Sequence, residues 1–191
     1  MNLSTTYYGG GVAVSEVEES IFYLRYVAEC YPCRAFHFCC TFGVGVPAAL
    51  VSVLHEHVGL EVYMETSKSE WFDQFDAGSR VWRTQTKNGY CVFFNVNGGG
   101  CYIHRYCVSV KEMDYRMLKP VACCLFPLTV TDRTLRPADL LTCPSLEQSL
   151  PLSMCRRSRV SLYQGVRDDL RFYFGPSLVA ELDARQARES Q

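Results

Sequence analysis

Nine of the eleven cysteines of this chain fall inside two short windows, and that distribution limits what it can fold into more than any other feature. The first window, CYPCRAFHFCC, carries Cys30, Cys33, Cys39 and Cys40 with His37; the second, from Gly89 to Leu128, carries Cys91, Cys101, Cys107, Cys123 and Cys124 with His104. A single cysteine packs as a small hydrophobe, but filler does not concentrate in this way. An odd number of thiols cannot close into a complete set of intramolecular disulfides. The N-terminal MNLSTTYYGGGV also lacks a basic stretch followed by an apolar one. The expectation is therefore a cytoplasmic protein with reduced thiols that serve a purpose other than oxidative cross-linking.

A length of 191 residues with 48% apolar and 20% charged side chains suits one domain spanning residues 1–191 with its own core. The net charge of -1 gives no reason to expect a nucleic-acid or membrane partner. No run approaches the roughly 18 apolar residues that a bilayer crossing needs. The arginines are scattered rather than gathered, and no zinc-finger helix pattern accompanies the cysteines, so nucleic-acid binding is the least favoured role.

Hydrophobic spacing outlines a mixed set of elements. Ser15 followed by Glu16, Glu18 and Glu19 reads as a helix N-cap with an acidic first turn, and the aromatic run Ile21 to Val27 is ambiguous between helix and strand. Pro47 opens a helix on which Ala48, Leu50, Val51, Leu54 and Val58 recur until Gly59 stops it. His55 and His57, two apart, point in different directions on such a helix and do not share a metal. The aromatics of Tyr63 to Arg83 read as core around a turn at Asp76, Ala77 and Gly78.

Tyr90 to Val96, the glycines after Asn97 and the run Cys101 to Ile103 read as a β-hairpin. A weakly helical polar stretch follows up to Pro120. Val121 to Val130 is β-branched and apolar, with Pro127 confining any strand there to an edge. The C-terminal third holds an amphipathic helix, Leu162 to Phe174, with Arg167, Asp168, Asp169 and Arg171 outward, closed by Gly175. Pro176 opens a last helix with Leu178, Val179 and Leu182 inward, before a tail from Arg185 that frays. The fold class is α+β: an irregular single domain with a hairpin, several short helices and a cysteine-ligated metal site substituting for part of the core.

Cys30 and Cys33 have the C-x2-C spacing that turns two sulfurs toward one ion, although the same spacing serves redox pairs. Adjacent cysteines such as Cys39 and Cys40 seldom bridge each other without strain, but can serve two metal positions. Pro120 and Pro127 stiffen the chain around Cys123. Lys119 beside them is read as a solvated lysine in preference to a partner for a thiolate cluster.

The succession of C-x2-C, CC, C-x-F at Cys91, C-x-I-x at Cys101 to His104 and K-P-x-x-C-x-x-F-P from Lys119 to Pro127 resembles the YkgJ-like cysteine-cluster proteins. These are described as zinc- or iron-chelating. The likeness runs from about Cys30 to Leu128, with a looser echo in Ser161 to Gly175. It implies metal ligation by Cys30, Cys33, Cys39, Cys40, Cys91, Cys101 and Cys123, with Cys155 added as a late cysteine. Three departures stand out: the five residues Arg34 to Phe38 between CxxC and CC, His104 in place of a usual tyrosine, and a long link from Arg105 to Leu118.

His104 is read as a hydrogen-bonded neighbour of the cluster rather than a ligand. His37 stays open between ligand and non-ligand. Cys107, Cys124 and Cys143 are read as packing or reactive thiols, and Cys143-Pro144 only weakly matches a ferredoxin ending.

Thiolates suit zinc and iron-sulfur clusters alike, so the metal is left as either. The leading expectation is a metal-binding protein. Two alternatives accompany it: a metallocluster-dependent group-transfer enzyme, since the resemblance extends to part of the cysteine cluster of flagellin lysine N-methylases, and a thiol redox sensor using Cys30 with Cys33 or Cys107 and Cys124. Neither glycine run, Gly9 to Gly11 or Gly98 to Gly100, forms a nucleotide-binding motif.

Overall fold

A computed structural model describes residues 14–25, 38–41, 43–95, 97, 100–138 and 160–189. The expected mixed α+β class holds: the described residues form small sheets and mostly short helices around one hydrophobic cluster. Two sheets have three strands. In the first, β9 (Leu128–Thr131) and β10 (Thr134–Pro137) form an antiparallel hairpin, turned by Asp132 and Arg133 at φ of 50° and 66°. Both turn residues sit in the left-handed region that a two-residue hairpin loop demands. β1 (Glu16–Val17) adds to the other side of β10 in parallel. Pro127 thus precedes an edge strand, where its missing N–H costs no ladder bond.

The second sheet orders β2 (Gly45–Pro47), β4 (Val81–Thr84) and β3 (Phe72–Asp76), all antiparallel. The turn expected at Asp76 to Gly78 joins β3 to β4, and the Asp76 carboxylate accepts from the Gly78 N–H at 2.9 Å. Trp71 and Phe72 are core, with Trp71 packed 5.4 Å from the Phe93 ring. Phe75 departs from expectation: on the edge strand it is 47% exposed and leans on Trp82.

Pro47 precedes helix α1 (Ala48–Glu56), which buries Leu50, Val51 and Leu54. The helix ends at His57, where ψ leaves the helical range, and not at Gly59. Gly59 lies inside a second helix, α2 (Val58–Met64), for a packing reason: a Cβ there would come 2.6 Å from the hydroxyl of buried Tyr106. His55 rests against Trp71 and Phe72, and His57 faces Tyr106, so the two imidazoles are separated as expected. Ser15 caps no helix. Its N–H donates to the Arg133 carbonyl, and the acidic stretch after it forms the strand β1 and the start of a 3-10 turn, Glu19–Phe22; the ambiguous run puts Ile21 and Phe22 in that turn, while Tyr26 and Val27 lie outside the described residues.

The second cysteine window is more broken than a plain hairpin. β5 (Thr86–Lys87) pairs with β6 (Tyr90–Cys91), and β7 (Phe94–Asn95) pairs with β8 (Gly100–Cys101). The hairpin is therefore present but two residues deep. Tyr102 and Ile103 do not continue it, because the chain turns at once into helix α3 (Tyr102–Arg105) and a π-helical turn, Tyr106–Lys111. Val121 to Leu125 is not strand but a short helix, α4, started by Pro120.

Helix α5 (Leu162–Phe174) and helix α6 (Pro176–Glu189) pack against each other behind the cluster. Ser161 begins α5 with a capping box: its hydroxyl accepts from the Gln164 N–H at 3.2 Å, while the Gln164 side chain accepts from the Ser161 N–H at 2.9 Å. Ser161→Ala is expected to cost about 1 kcal/mol in denaturant unfolding, the usual effect of losing such a cap.

The C-terminal residues from Arg185 do not fray at once, since Arg185 pairs with Glu19 and lies over the Phe22 ring. Between the two helices Asp183 receives Arg167 at 2.9 and 2.5 Å and the Tyr163 hydroxyl at 2.8 Å. The Arg167 guanidinium, then the Tyr163 donor, holds this carboxyl down to about 2. A depressed carboxyl stabilises the fold fully above its ordinary 3.8, and that contribution is lost as the pH falls through about 2. Thermal midpoints measured across this range should fall with acid in the native chain and fall less in Asp183→Asn. No helix among the described residues is long and apolar enough to cross a membrane.

Candidate functional site

Four cysteines from four separate elements line one cavity. Cys40 comes from the 3-10 turn Phe38–Thr41, Cys91 from β6, Cys101 from β8 and Cys123 from α4. Val44, Thr84, Phe93, Ile103, Lys119 and Pro120 complete the wall, and the cavity holds about 30 Å³. That exceeds the roughly 10–15 Å³ that a single water needs.

Backbone pairing places the wall. The Thr84 N–H donates to the Val44 carbonyl at 3.0 Å, and the Val44 N–H donates to the Thr84 hydroxyl at 2.9 Å. The same hydroxyl lies 3.6 Å from the Cys91 sulfur. Gly43 permits this approach, since a Cβ on it would meet the Thr84 carbonyl oxygen at 2.6 Å. The chain leaving Cys40 is in this way pressed against β4.

Burial pushes the Cys91 thiol up to about 11, with the Thr84 hydroxyl acting in the opposite direction. Left to itself it stays protonated at neutral pH. Cys107 is fully buried and its thiol is pushed up to about 12, again chiefly by burial. Cys107 and Cys124 are core residues, as the packing alternative for them expects. The described cysteines carry thiols, none joined in a disulfide.

The structure therefore gathers Cys40, Cys91, Cys101 and Cys123 of the sequence-derived ligand set. Cys30, Cys33 and Cys155 lie outside the described residues, as do His37 and Cys143, and the side chain of Cys39 is not described. Sharing a cavity is not yet coordination: among the described residues no three His, Cys, Asp or Glu side chains meet closely enough to hold a metal ion. The donor set, four sulfurs around a small cavity, suits zinc or iron by chemistry.

Behind the cavity lies a polar cluster that sequence reasoning missed. Asp169, expected to face outward, is 8% exposed and accepts the Tyr115 hydroxyl at 2.8 Å. Burial raises its carboxyl above the ordinary range, against the Tyr115 hydrogen bond and the charges of Lys119 and Arg116. Asp168, its neighbour, is exposed as expected. Lys119 is not solvated either. It is 3% exposed, and its ammonium lies 5.4 Å from the centre of the Tyr115 ring.

His104 stacks on the other part of this assembly, 3.9 Å from Tyr115 between ring centres. Arg116 forks onto Asp114 at 2.8 and 2.6 Å and lies over Phe172. Tyr173 brings its hydroxyl to 3.1 Å from the Arg116 carbonyl and 3.3 Å from the Cys124 sulfur. For Lys119 the sequence offered its place beside Pro120 and Cys123, and a solvated side chain was the preferred reading of it. For Thr84 and Asp169 there was none.

Compared with known proteins, the chain matches no family model, no curated sequence and no solved structure.

Proposed function

We propose that this chain is a metal-binding protein of the YkgJ-like cysteine-cluster kind, in which Cys40, Cys91, Cys101 and Cys123 are thiolate ligands. Cys30, Cys33, Cys39 and Cys155 are the further ligands of the same reading. The observation that carries it is the meeting of four thiols, spread over 84 positions of sequence, on one small cavity. Zinc or an iron-sulfur cluster would be held there as thiolate complexes, supplying a structural cross-link or, for iron, an electron-accepting centre.

Binding deprotonates the ligands, so burial that keeps Cys91 protonated in the metal-free chain makes metal uptake release protons. The same burial weighs against the redox-sensor alternative for Cys107: reactive thiols have lowered pKa values and solvent access, and Cys107 has neither.

An ultraviolet-visible spectrum with metal and sulfide analysis, on protein purified without oxygen, tests the proposal. Stoichiometric zinc in a colourless protein supports a structural centre. Iron with acid-labile sulfide and a broad visible band supports a cluster. A folded protein that neither carries nor takes up either metal overturns the reading.

A further inference from the structure

One face of α5 holds a short turn by polar contacts. The turn is the 3-10 segment Tyr115–Met117. From it the Arg116 guanidinium donates to the Asp168 carbonyl at 3.0 Å and lies 4.7 Å from the centre of the Phe172 ring. The Tyr115 hydroxyl donates to Asp169 at 2.8 Å, and the Arg116 carbonyl accepts the Tyr173 hydroxyl at 3.1 Å. The same segment runs on into the cavity wall: the Lys119 N–H donates to the Tyr115 carbonyl at 2.8 Å, Lys119 and Pro120 line the cavity, and Pro120 starts α4 with Cys123. One wall of the thiol cavity is thus tied to α5, whereas Cys40, Cys91 and Cys101 come from other elements.

A buried carboxyl stands at the centre of this seam. Asp169 is 8% exposed and accepts one hydrogen bond, from Tyr115, where a carboxylate has about four lone-pair sites to fill. Arg116, 4.0 Å away, is committed to Asp114 at 2.8 and 2.6 Å. The ionised form is therefore poorly compensated while the turn is docked, and regains water when the turn parts from α5. The neutral acid loses nothing, because a phenol hydroxyl can both donate and accept the one bond. Burial raises this carboxyl above its ordinary 3.8. The stability it gives the docked seam is full below 3.8 and is lost as the pH rises through the raised value, the opposite sign to Asp183.

We propose that Asp169 is a proton-operated latch on the cavity: neutral, it keeps the Tyr115–Met117 turn on α5 and the Cys123 wall closed; ionised, it releases the turn and opens the thiols to solvent. The latch goes beyond the metal-binding reading and does not depend on what the thiols hold. The titratable and charged groups around it are Asp114, Tyr115, Arg116 and Lys119 before α4, His104 of α3 stacked on Tyr115, Cys124 of α4, and Asp168 and Tyr173 on α5 itself. Histidine is the one of these whose ordinary value falls between about pH 5 and 8, so His104 is the rival source of any step.

Hydrogen exchange with mass spectrometry on the full reduced chain, from about pH 4 to about pH 7.5, compares the native protein with Asp169→Asn, a neutral side chain that still accepts the Tyr115 hydroxyl. Intrinsic exchange, and any metal at the thiols, are common to both at each pH. In peptides spanning 114–125 the ratio of native to variant exchange should be smallest at the acid end, climb with pH and level off at about tenfold or more, tenfold being the return on each unit by which docking raises the carboxyl. At the upper end N-ethylmaleimide should label Cys123 faster in the native chain by a similar factor. If Asp169→Asn does not fold, Tyr115→Phe removes the one hydrogen bond of the ionised form and should exceed native exchange by a larger factor at the upper end than at the acid end.

A ratio that stays flat with pH overturns the latch. So does an equal rise in peptides of α1, which means general loosening, and so does a rise that disappears when both chains carry His104→Gln, which assigns the step to the imidazole. Faster exchange without faster labelling of Cys123 leaves a loosened turn that does not gate the cavity, and overturns the proposal as well.

Discussion

Cys91→Ser and Cys123→Ser should each lower metal content and fold stability together, by roughly 3 kcal/mol or more in the metal-loaded protein. The two residues reach the cavity from a short strand and a short helix that are separate in sequence. Metal between them would close long loops, so its loss returns conformational freedom to several segments at once. Serine keeps the shape but is a poor ligand for zinc or iron.

Cys107→Ala provides the contrast. Among the described cysteines Cys107 is the most deeply buried but lies outside the cavity lining, so its removal should cost about 1 kcal/mol and leave metal stoichiometry unchanged. Metal analysis beside thermal unfolding, with and without chelator, reads both quantities. Full metal occupancy in both serine variants would reject the ligand assignment. A stability loss without metal loss would place the two thiols in the core and nothing more.

The helices with long periodic faces were the most legible part of the chain. Leu162 to Phe174 announces itself by spacing and by Gly175, at φ 88°, after its end. All these signals are local, and none depends on what packs nearby. Gly59 shows the limit of that logic. As a local signal it ends a helix; in the fold its missing side chain lets the Tyr106 hydroxyl come close. Asp169 and Lys119 both read as solvated and are both buried; for Asp169 the reason is distance, since its partner Tyr115 is 54 residues away in sequence. The cysteine window after Gly89 was legible in composition and not in shape. Two-residue strands, α3 and a π-helical turn succeed one another there, and such short elements are set by tertiary contacts rather than by periodicity.

Gly43→Ala should damage the candidate site and the fold in one step. The added Cβ would stand 2.6 Å from the backbone oxygen of Thr84 and 2.9 Å from Arg83 Nε. The arginine can swing aside, but the carbonyl cannot move without disturbing the Val44 to Thr84 pairing that opens the β2–β4 ladder. Relief must come from the segment itself, carrying Cys40 away from Cys91, Cys101 and Cys123. Overpacking of this kind costs about 1–3 kcal/mol, and metal affinity should fall with it.

Gly165→Ala is the matched control. That glycine is exposed within α5, and its added Cβ meets nothing within 4 Å. It should gain roughly 0.5–1 kcal/mol from helix propensity and leave metal binding as it was. Chemical denaturation with cobalt titration of the two variants distinguishes a close backbone approach at Gly43 from a general intolerance of alanine for glycine. If Gly43→Ala unfolds and binds metal as the native chain does, the press of the Cys40 segment against β4 does not shape the cavity.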